Sequence, residues 1–173
     1  INVKYLSLNM AHNDIEIELK FPLNNPDDVV NHLNTLTQRS KKVFQKDTYF
    51  SPVHRDFLSP EFPFEWLRIR ETDKGFSVNY KHFYPPNTKE THYCDEFETS
   101  INSAELIKKI FSKLDFKELV VVEKERSTWE IEGVEIAIDL VKDHGAFIEL
   151  ELMKHFEDPI EGRTYLYDLL KIL

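Results

Sequence analysis

The chain has 173 residues, a net charge of −9 at pH 7, and 41% hydrophobic residues including an aromatic share of 13%. That is enough apolar material for one full core, which excludes wholesale disorder, and the acidic balance argues against a nucleic-acid partner gripped through its phosphates. Cys94 is the only cysteine, which excludes an internal disulfide and a cysteine zinc site, and no apolar run is long enough to span a membrane.

These features read as one domain over residues 1–173 in a reducing, cytoplasmic setting, with neither nucleic acid nor membrane as partner. The first twelve residues, within "INVKYLSLNMAHN", lack a signal-peptide pattern and read as a tag remnant or a short edge segment.

"NDIEIELKF" (13–21) alternates strictly, with Ile15, Ile17, Leu19 and Phe21 on one strand face and Glu16, Glu18 and Lys20 on the other. "NNPDDVVNHLNTLTQRS" predicts a helix capped by Asn25, with Pro26 first, acids in the first turn and an apolar stripe of Val29, Val30, Leu33 and Leu36. "VFQKDTYF" (43–50) is a strand, and "SPVHRDFLSPEFPF" (51–64), with three prolines, is a loop.

"EWLRIRET" and "GFSVNYKHF" form a hairpin, and "THYCDEFETSI" is a further strand. "NSAELIKKIFSKLDF" predicts a helix capped by Asn102 with Leu106, Ile107, Ile110 and Leu114 inward. "ELVVVEKERSTWEI", "VEIAIDLVKD" and "AFIELELM" are strands separated by the tight turns "EG" and "DHG". A last helix, "DPIEGRTYLYDLLKIL", carries Tyr165, Leu166, Leu169 and Leu170 as core packing, with a dimer face or a lid as rival roles. About eight strands with such short turns pair antiparallel, so the fold class is α+β: a closed or nearly closed antiparallel barrel with three helices packed outside.

The charged strand faces point to a function. Arg68 and Arg70 share a face with Trp66; Lys81 lies beside Asn79; Glu96 and Glu98 share a face; Lys124 and Arg126 continue the face of Val120 and Val122; Asp139 stands opposite Ile138; Glu149 and Glu151 pair on the last strand. One such strand is an ordinary solvated face, but six with acids and bases segregated imply a shared interior with acidic and basic walls. Buried charge at that density demands partners. A polyphosphate with divalent cations supplies both signs: Arg and Lys grip phosphate oxygens, and carboxylates hold Mg²⁺ or Mn²⁺ through hard oxygen ligands.

"EIELK" resembles the Glu-x-Glu-x-Lys signature of the CYTH superfamily, the triphosphate tunnel metalloenzymes. "DTYF", "RDF", "LRIR", "NYK", "DEFET", "EKER", "AIDLV" and "GAFIELEL" follow in the family's order over Glu16 to Leu152. "TYFSPVHRDF" with "LRIR" is most similar to the CyaB-like, class IV adenylyl cyclase branch.

The resemblance implies an eight-stranded barrel open as a tunnel. It implies metal ligation by Glu16, Glu18, Glu149 and Glu151 with Mg²⁺ or Mn²⁺ as cofactor, and catalytic roles for Glu16, Glu18 and Asp139. It also implies triphosphate binding by Lys20, Arg68, Arg70, Lys81, Lys124 and Arg126, with Glu96 and Glu98 on the acidic lining. The substrate would be ATP, thiamine triphosphate or tripolyphosphate, the reaction that of a cyclase (ATP to 3′,5′-cyclic AMP and pyrophosphate) or of a triphosphatase, and the chain a monomer or homodimer; a non-catalytic triphosphate-binding module is the third reading.

This sequence departs from the family where a basic residue often precedes the middle Glu-x-Glu: His92, Cys94 and Asp95 stand there instead. Trp66 is expected either to stack on an organic ring at the tunnel mouth or to pack on the outside. Arg55 is expected to reach substrate or to pair with Asp56; His12, His54, His92 and His155 are read as surface residues.

Overall fold

The computed structural model describes residues 14–39 and 41–173, so the first twelve residues and His12 lie outside the described part. Its elements, in chain order, are β1 (Ile15–Glu16), β2 (Glu18–Leu23), α1 (Pro26–Leu36), β3 (Val43–Pro52), β4 (Glu65–Thr72), β5 (Gly75–Tyr84), β6 (Tyr93–Ile101), α2 (Ala104–Lys113), β7 (Phe116–Ile131), β8 (Val134–Val141), β9 (Gly145–Leu152) and α3 (Pro159–Leu170).

All nine strands join one antiparallel sheet in the order β1-β6-β5-β4-β3-β7-β8-β9-β2. The two ends of that order are successive stretches of the same chain, separated only by Ile17. β1 pairs with β6 and β2 with β9, while the Ile17 carbonyl accepts from Leu152 N at 3.0 Å. The sheet therefore curls into a nearly closed barrel. The expected eight strands become nine because the opening strand breaks at Ile17 as it changes partner.

Alternation assigns the apolar sides of the strands to the outside of the barrel, where the helices cover part of them and leave Phe44, Phe97 and Leu140 exposed. Under α1 and α3 lies a core that includes Ile17, Leu19, Leu33, Trp129, Ile136, Leu150 and Leu166. Under α2 lies a second core of Phe50, Ile69 and Ala104, flanked by Ile107, Phe111 and Phe116. Ile15, on the same strand face as Ile17 and Leu19, is exposed. Gly162 lets α3 lie directly on the strand break: a Cβ there would stand 2.8 Å from Ile17 Cδ1 and 2.9 Å from Leu152 Cδ1.

The helices correct four expectations. Asn25 stands at the cap of α1 but its side chain makes no capping bond, and Leu36 is exposed. α2 is capped by Ser103 rather than Asn102; its hydroxyl accepts from Leu106 N at 3.2 Å. The same helix is rotated from the expected stripe, so that Ala104, Ile107 and Phe111 face the barrel while Leu106, Ile110 and Leu114 are 60%, 50% and 57% exposed. The aromatic ring decides this: Phe111 meets Phe50 edge-on at 5.2 Å and stacks on Phe116 at 5.3 Å, burying more apolar area than a leucine would.

In α3, Leu166 and Leu169 are buried, with Tyr165 and Leu170 packed beside them, which agrees with core packing. Urea unfolding should separate the two apolar stripes. Leu166→Ala should lose about 2–5 kcal/mol through its cavity, and Leu106→Ala no more than about 0.5 kcal/mol. Among the described residues no helix is long and apolar enough to cross a membrane.

Candidate active site

The polar faces meet inside the barrel around a cavity of about 550 Å³. Register sets the neighbours: Lys20 lies opposite Glu149 and Glu18 opposite Glu151 across β2 and β9; Arg126 faces Asp139 across β7 and β8; Arg70 faces Asp47 across β3 and β4; Lys81 faces Glu96 and Asn79 faces Glu98 across β5 and β6. Glu16, Glu18, Lys20, Trp66, Arg68, Arg70, Lys81, Glu96, Glu98, Arg126, Glu149 and Glu151 all line this cavity.

Lys124 and Asp139, expected on the same wall, are not among the lining residues. They lie behind it, bonded to each other at 2.6 Å, and Asp139 is 1% exposed. Trp66 is on the cavity wall rather than the outside, edge-on to Tyr49 at 5.9 Å, with Phe83, Val120 and Val122 completing an apolar stretch.

Two cationic groups are held by buried carboxylates. Arg126 donates to Asp139 at 2.7 and 2.8 Å and to Glu149 at 3.0 Å; Lys20 donates to Glu149 at 2.9 Å and stands 3.6 Å from Asp139. Burial alone would raise the proton affinity of Glu149, but Arg126, Lys20 and Lys124 outweigh it and hold its carboxyl well below the usual range. Lys124 is pushed down to about 8, first by burial and then by the charge of Arg126. On β4, Arg70 makes a two-pronged bond to Asp47 at 2.8 and 2.7 Å, and Arg68 stands 3.5 Å from it. Arg68 Nε is buried and makes no hydrogen bond.

The opposite wall is acidic around one lysine. The Lys81 ammonium lies 2.6 Å from Glu16, 3.3 Å from Glu18 and 3.7 Å from Glu96. Asn79 donates to Glu98 at 3.1 Å and to Glu96. One ammonium does not neutralise this wall. Glu16 is pushed up to about 10 by burial and by Glu18, in spite of Lys81, and Glu151 is pushed up to about 7, mainly by burial. The Cys94 thiol stands 3.6 Å from Glu16 and is itself pushed up by burial and by that neighbour. So the position where a basic residue was looked for carries a neutral thiol.

Four of these acids, Glu16, Glu96, Glu98 and Glu151, also line a second cavity of about 840 Å³ that reaches Asp14, Phe156 and Glu157. The acidic wall is thus shared by two adjoining cavities.

Arg55 does not face the cavity and does not pair with Asp56. It donates to Glu65 at 2.5 Å and lies over the Phe57 ring, while Asp56 takes Lys117 at 2.8 Å. Sequence reasoning missed Asp47, whose 1% exposure and bond to Arg70 make it the anchor of the β4 arginines. The signal was present: Gln45, Asp47 and Tyr49 alternate like the other charged faces.

Known proteins resemble this chain in sequence and fold. The CYTH domain matches residues 14–172. A protein of Methanocaldococcus jannaschii named "Putative adenylate cyclase MJ0240" is 37% identical over 160 residues, covering 92% of this chain and 87% of the relative. The solved PH1819 protein of Pyrococcus horikoshii superposes with a TM-score of 0.76 at 28% identity, covering 90% and 88% of the two chains. A Hippeastrum protein described as a putative adenylyl cyclase with a dominant triphosphatase activity superposes with a TM-score of 0.58 at 17% identity, covering 91% and 86%, a likeness of fold. A match over nearly all of the described residues, a barrel of the expected construction and a relative of this identity together have one consequence: the chain belongs to the CYTH domain family.

Proposed function

We propose that the barrel binds a triphosphate together with a divalent metal, and that the chain is an enzyme converting ATP to 3′,5′-cyclic AMP and pyrophosphate. The observation that carries this is the divided lining: Lys20, Arg68, Arg70 and Arg126 against Glu16, Glu18, Glu96 and Glu151 in one cavity. The orphaned Arg68 Nε supports it, since a buried guanidinium donor without an acceptor suits a phosphate oxygen. The relative in Methanocaldococcus supports the choice of reaction.

The donor set suits Mg²⁺ or Mn²⁺. Among the described residues no three His, Cys, Asp or Glu already stand as a ready-made metal site. Yet Glu16, Glu18 and Glu96 converge on a single point, now the Lys81 ammonium, and Glu151 lines the same cavity. All are hard oxygen donors. Glu149, by contrast, is committed to Lys20 and Arg126, so we assign it to holding those cations rather than to the metal. A bound divalent ion would offset charge on the triphosphate and the leaving pyrophosphate.

The protein side is mostly positioning. Lys20, Arg68, Arg70 and Arg126 grip phosphate oxygens, their geometry fixed by Asp47, Asp139 and Glu149. Lys124 neutralises Asp139 from behind. Trp66, with Tyr49 and Phe83, offers a face for the base. The ribose 3′-oxygen attacks the α-phosphorus, the bond to the β-phosphate oxygen breaks, and the hydroxyl proton passes to a carboxylate. Asp139 is bonded to Lys124 and Arg126 behind the cavity lining, so we assign the acceptor to a lining carboxylate rather than to Asp139.

The same lining admits a triphosphatase, in which water attacks the terminal phosphorus of thiamine triphosphate, tripolyphosphate or a nucleotide. The activity named for the Hippeastrum protein favours that second reading. A product assay decides: with ATP and Mg²⁺ or Mn²⁺ we expect cyclic AMP and pyrophosphate. Orthophosphate from any of the triphosphates without cyclic AMP would select the hydrolase, and no turnover of any of them would leave only a binding module.

A further inference from the structure

Lys81 reaches from β5 to carboxylates on three other strands, β1, β2 and β6, and its side chain is 12% exposed. Its ammonium sits at the centre of the acidic wall, at 2.6, 3.3 and 3.7 Å from Glu16, Glu18 and Glu96. Those lengths suit an ammonium. A divalent ion draws its oxygens in to about 2.0–2.6 Å and would take this same point. Two cations do not share it, because like charges a few ångströms apart repel strongly in a partly buried site.

We propose that Lys81 is a stand-in cation that couples metal binding to triphosphate binding. With the site empty, its ammonium holds the acidic wall together. A metal ion arriving there displaces it, and the flexible four-carbon stem lets the ammonium swing along the inner face of β5. Asn79 is its neighbour on that face and Arg68 lies opposite Asn79 on β4, so the displaced charge moves towards the phosphate-gripping row. Each ligand therefore improves the site for the other. The coupling is reciprocal, as linkage demands. The other cations cannot play this part: Arg126 and Arg70 are held by two-pronged bonds to buried aspartates, and Lys20 is held by Glu149.

This inference rests on the barrel being a metal and triphosphate site, and the test keeps the two apart. Calorimetry with Mn²⁺ alone should give the Lys81→Gln protein at least about tenfold tighter metal binding than the wild type, since the competing charge is gone. Bis(methylene)triphosphate, whose carbon bridges resist cleavage, should bind the variant more weakly, and Mn²⁺ should raise its affinity less than in the wild type. Equal or weaker Mn²⁺ binding by the variant, with a wild type that binds both probes, would overturn the coupling alone; a lysine that only gripped phosphate or only supported the fold would give that result. A wild type that bound neither probe would overturn the proposed function and this inference with it. Should Lys81→Gln not fold, the wild type still decides: Mg²⁺ alone should shift the ¹⁵N signal of the Lys81 ammonium, and an unmoved signal at saturating Mg²⁺ would refute the displacement.

Discussion

Arg68→Met should lower kcat/KM by about 10²–10³-fold while leaving the folded protein nearly as stable as before, the loss expected when one preorganised donor to a developing charge is removed. Asp47 keeps its two-pronged bond to Arg70 in this variant, so no buried charge is stranded. The substitution also removes a buried Nε that had no acceptor in the protein. Arg126→Met should behave differently. It takes two bonds from Asp139, which is 1% exposed, and one from Glu149, leaving both carboxylates to Lys20 and Lys124. Breaking a buried pair in this way costs about 3–5 kcal/mol, so both activity and thermal stability should fall. Thermal unfolding beside steady-state kinetics separates the cases. An active Arg68→Met enzyme would remove Arg68 from the triphosphate site, and an Arg126→Met protein as stable as the wild type would show that Asp139 and Glu149 relax into water.

The contrast marks what strand periodicity conveys and what it leaves out. Alternation over two-residue steps named the inward side chains, because a strand allows only two faces. It therefore found Glu16, Arg68, Lys81 and Glu149 without distinguishing between them. Which base meets which acid depends on register between strands far apart in the chain, such as β7 with β8 and β9 with β2, and no local pattern encodes that. So Lys124 and Asp139 read as wall residues when they lie behind it, and Asp47 went unnoticed on a strand whose face was as patterned as the rest. The break at Ile17 was hidden for the same reason: "IEIELKF" alternates without interruption, and only the change of partner from β6 to β9 splits it. In α2 the failure was one of competition. Two apolar stripes were available, and the one carrying Phe111 won burial because Phe50 and Phe116 were there to meet it.

Stability should fall as pH rises from 5 to 8 in the absence of metal, and Mg²⁺ or Mn²⁺ should restore it at the upper end. Glu16 and Glu151 have folded-state values of about 10 and about 7, above the 4.5 of a free glutamate. The folded protein thus binds more protons than the unfolded chain above pH 4.5. Their contribution is complete below that value and is lost as pH climbs through the folded ones. Glu149, Asp139 and Asp47 are shifted the other way, so their contribution is already complete above the unfolded carboxylate range and stays flat across this window. Lys124 titrates only near 8, at the edge of the window. The rise of Glu151 alone corresponds to about 3 kcal/mol as an upper bound, or roughly 6–12 °C in melting temperature for a chain of this size. A metal ion competes with these protons for the same carboxylates, so its stabilisation should be small at pH 5 and largest at pH 8. Melting curves across this range with and without metal test the point. A melting temperature that rose steadily from pH 5 to 8 would show the acidic wall to be fully compensated by Lys81. A metal increment independent of pH would put the ion somewhere other than on Glu16 and Glu151.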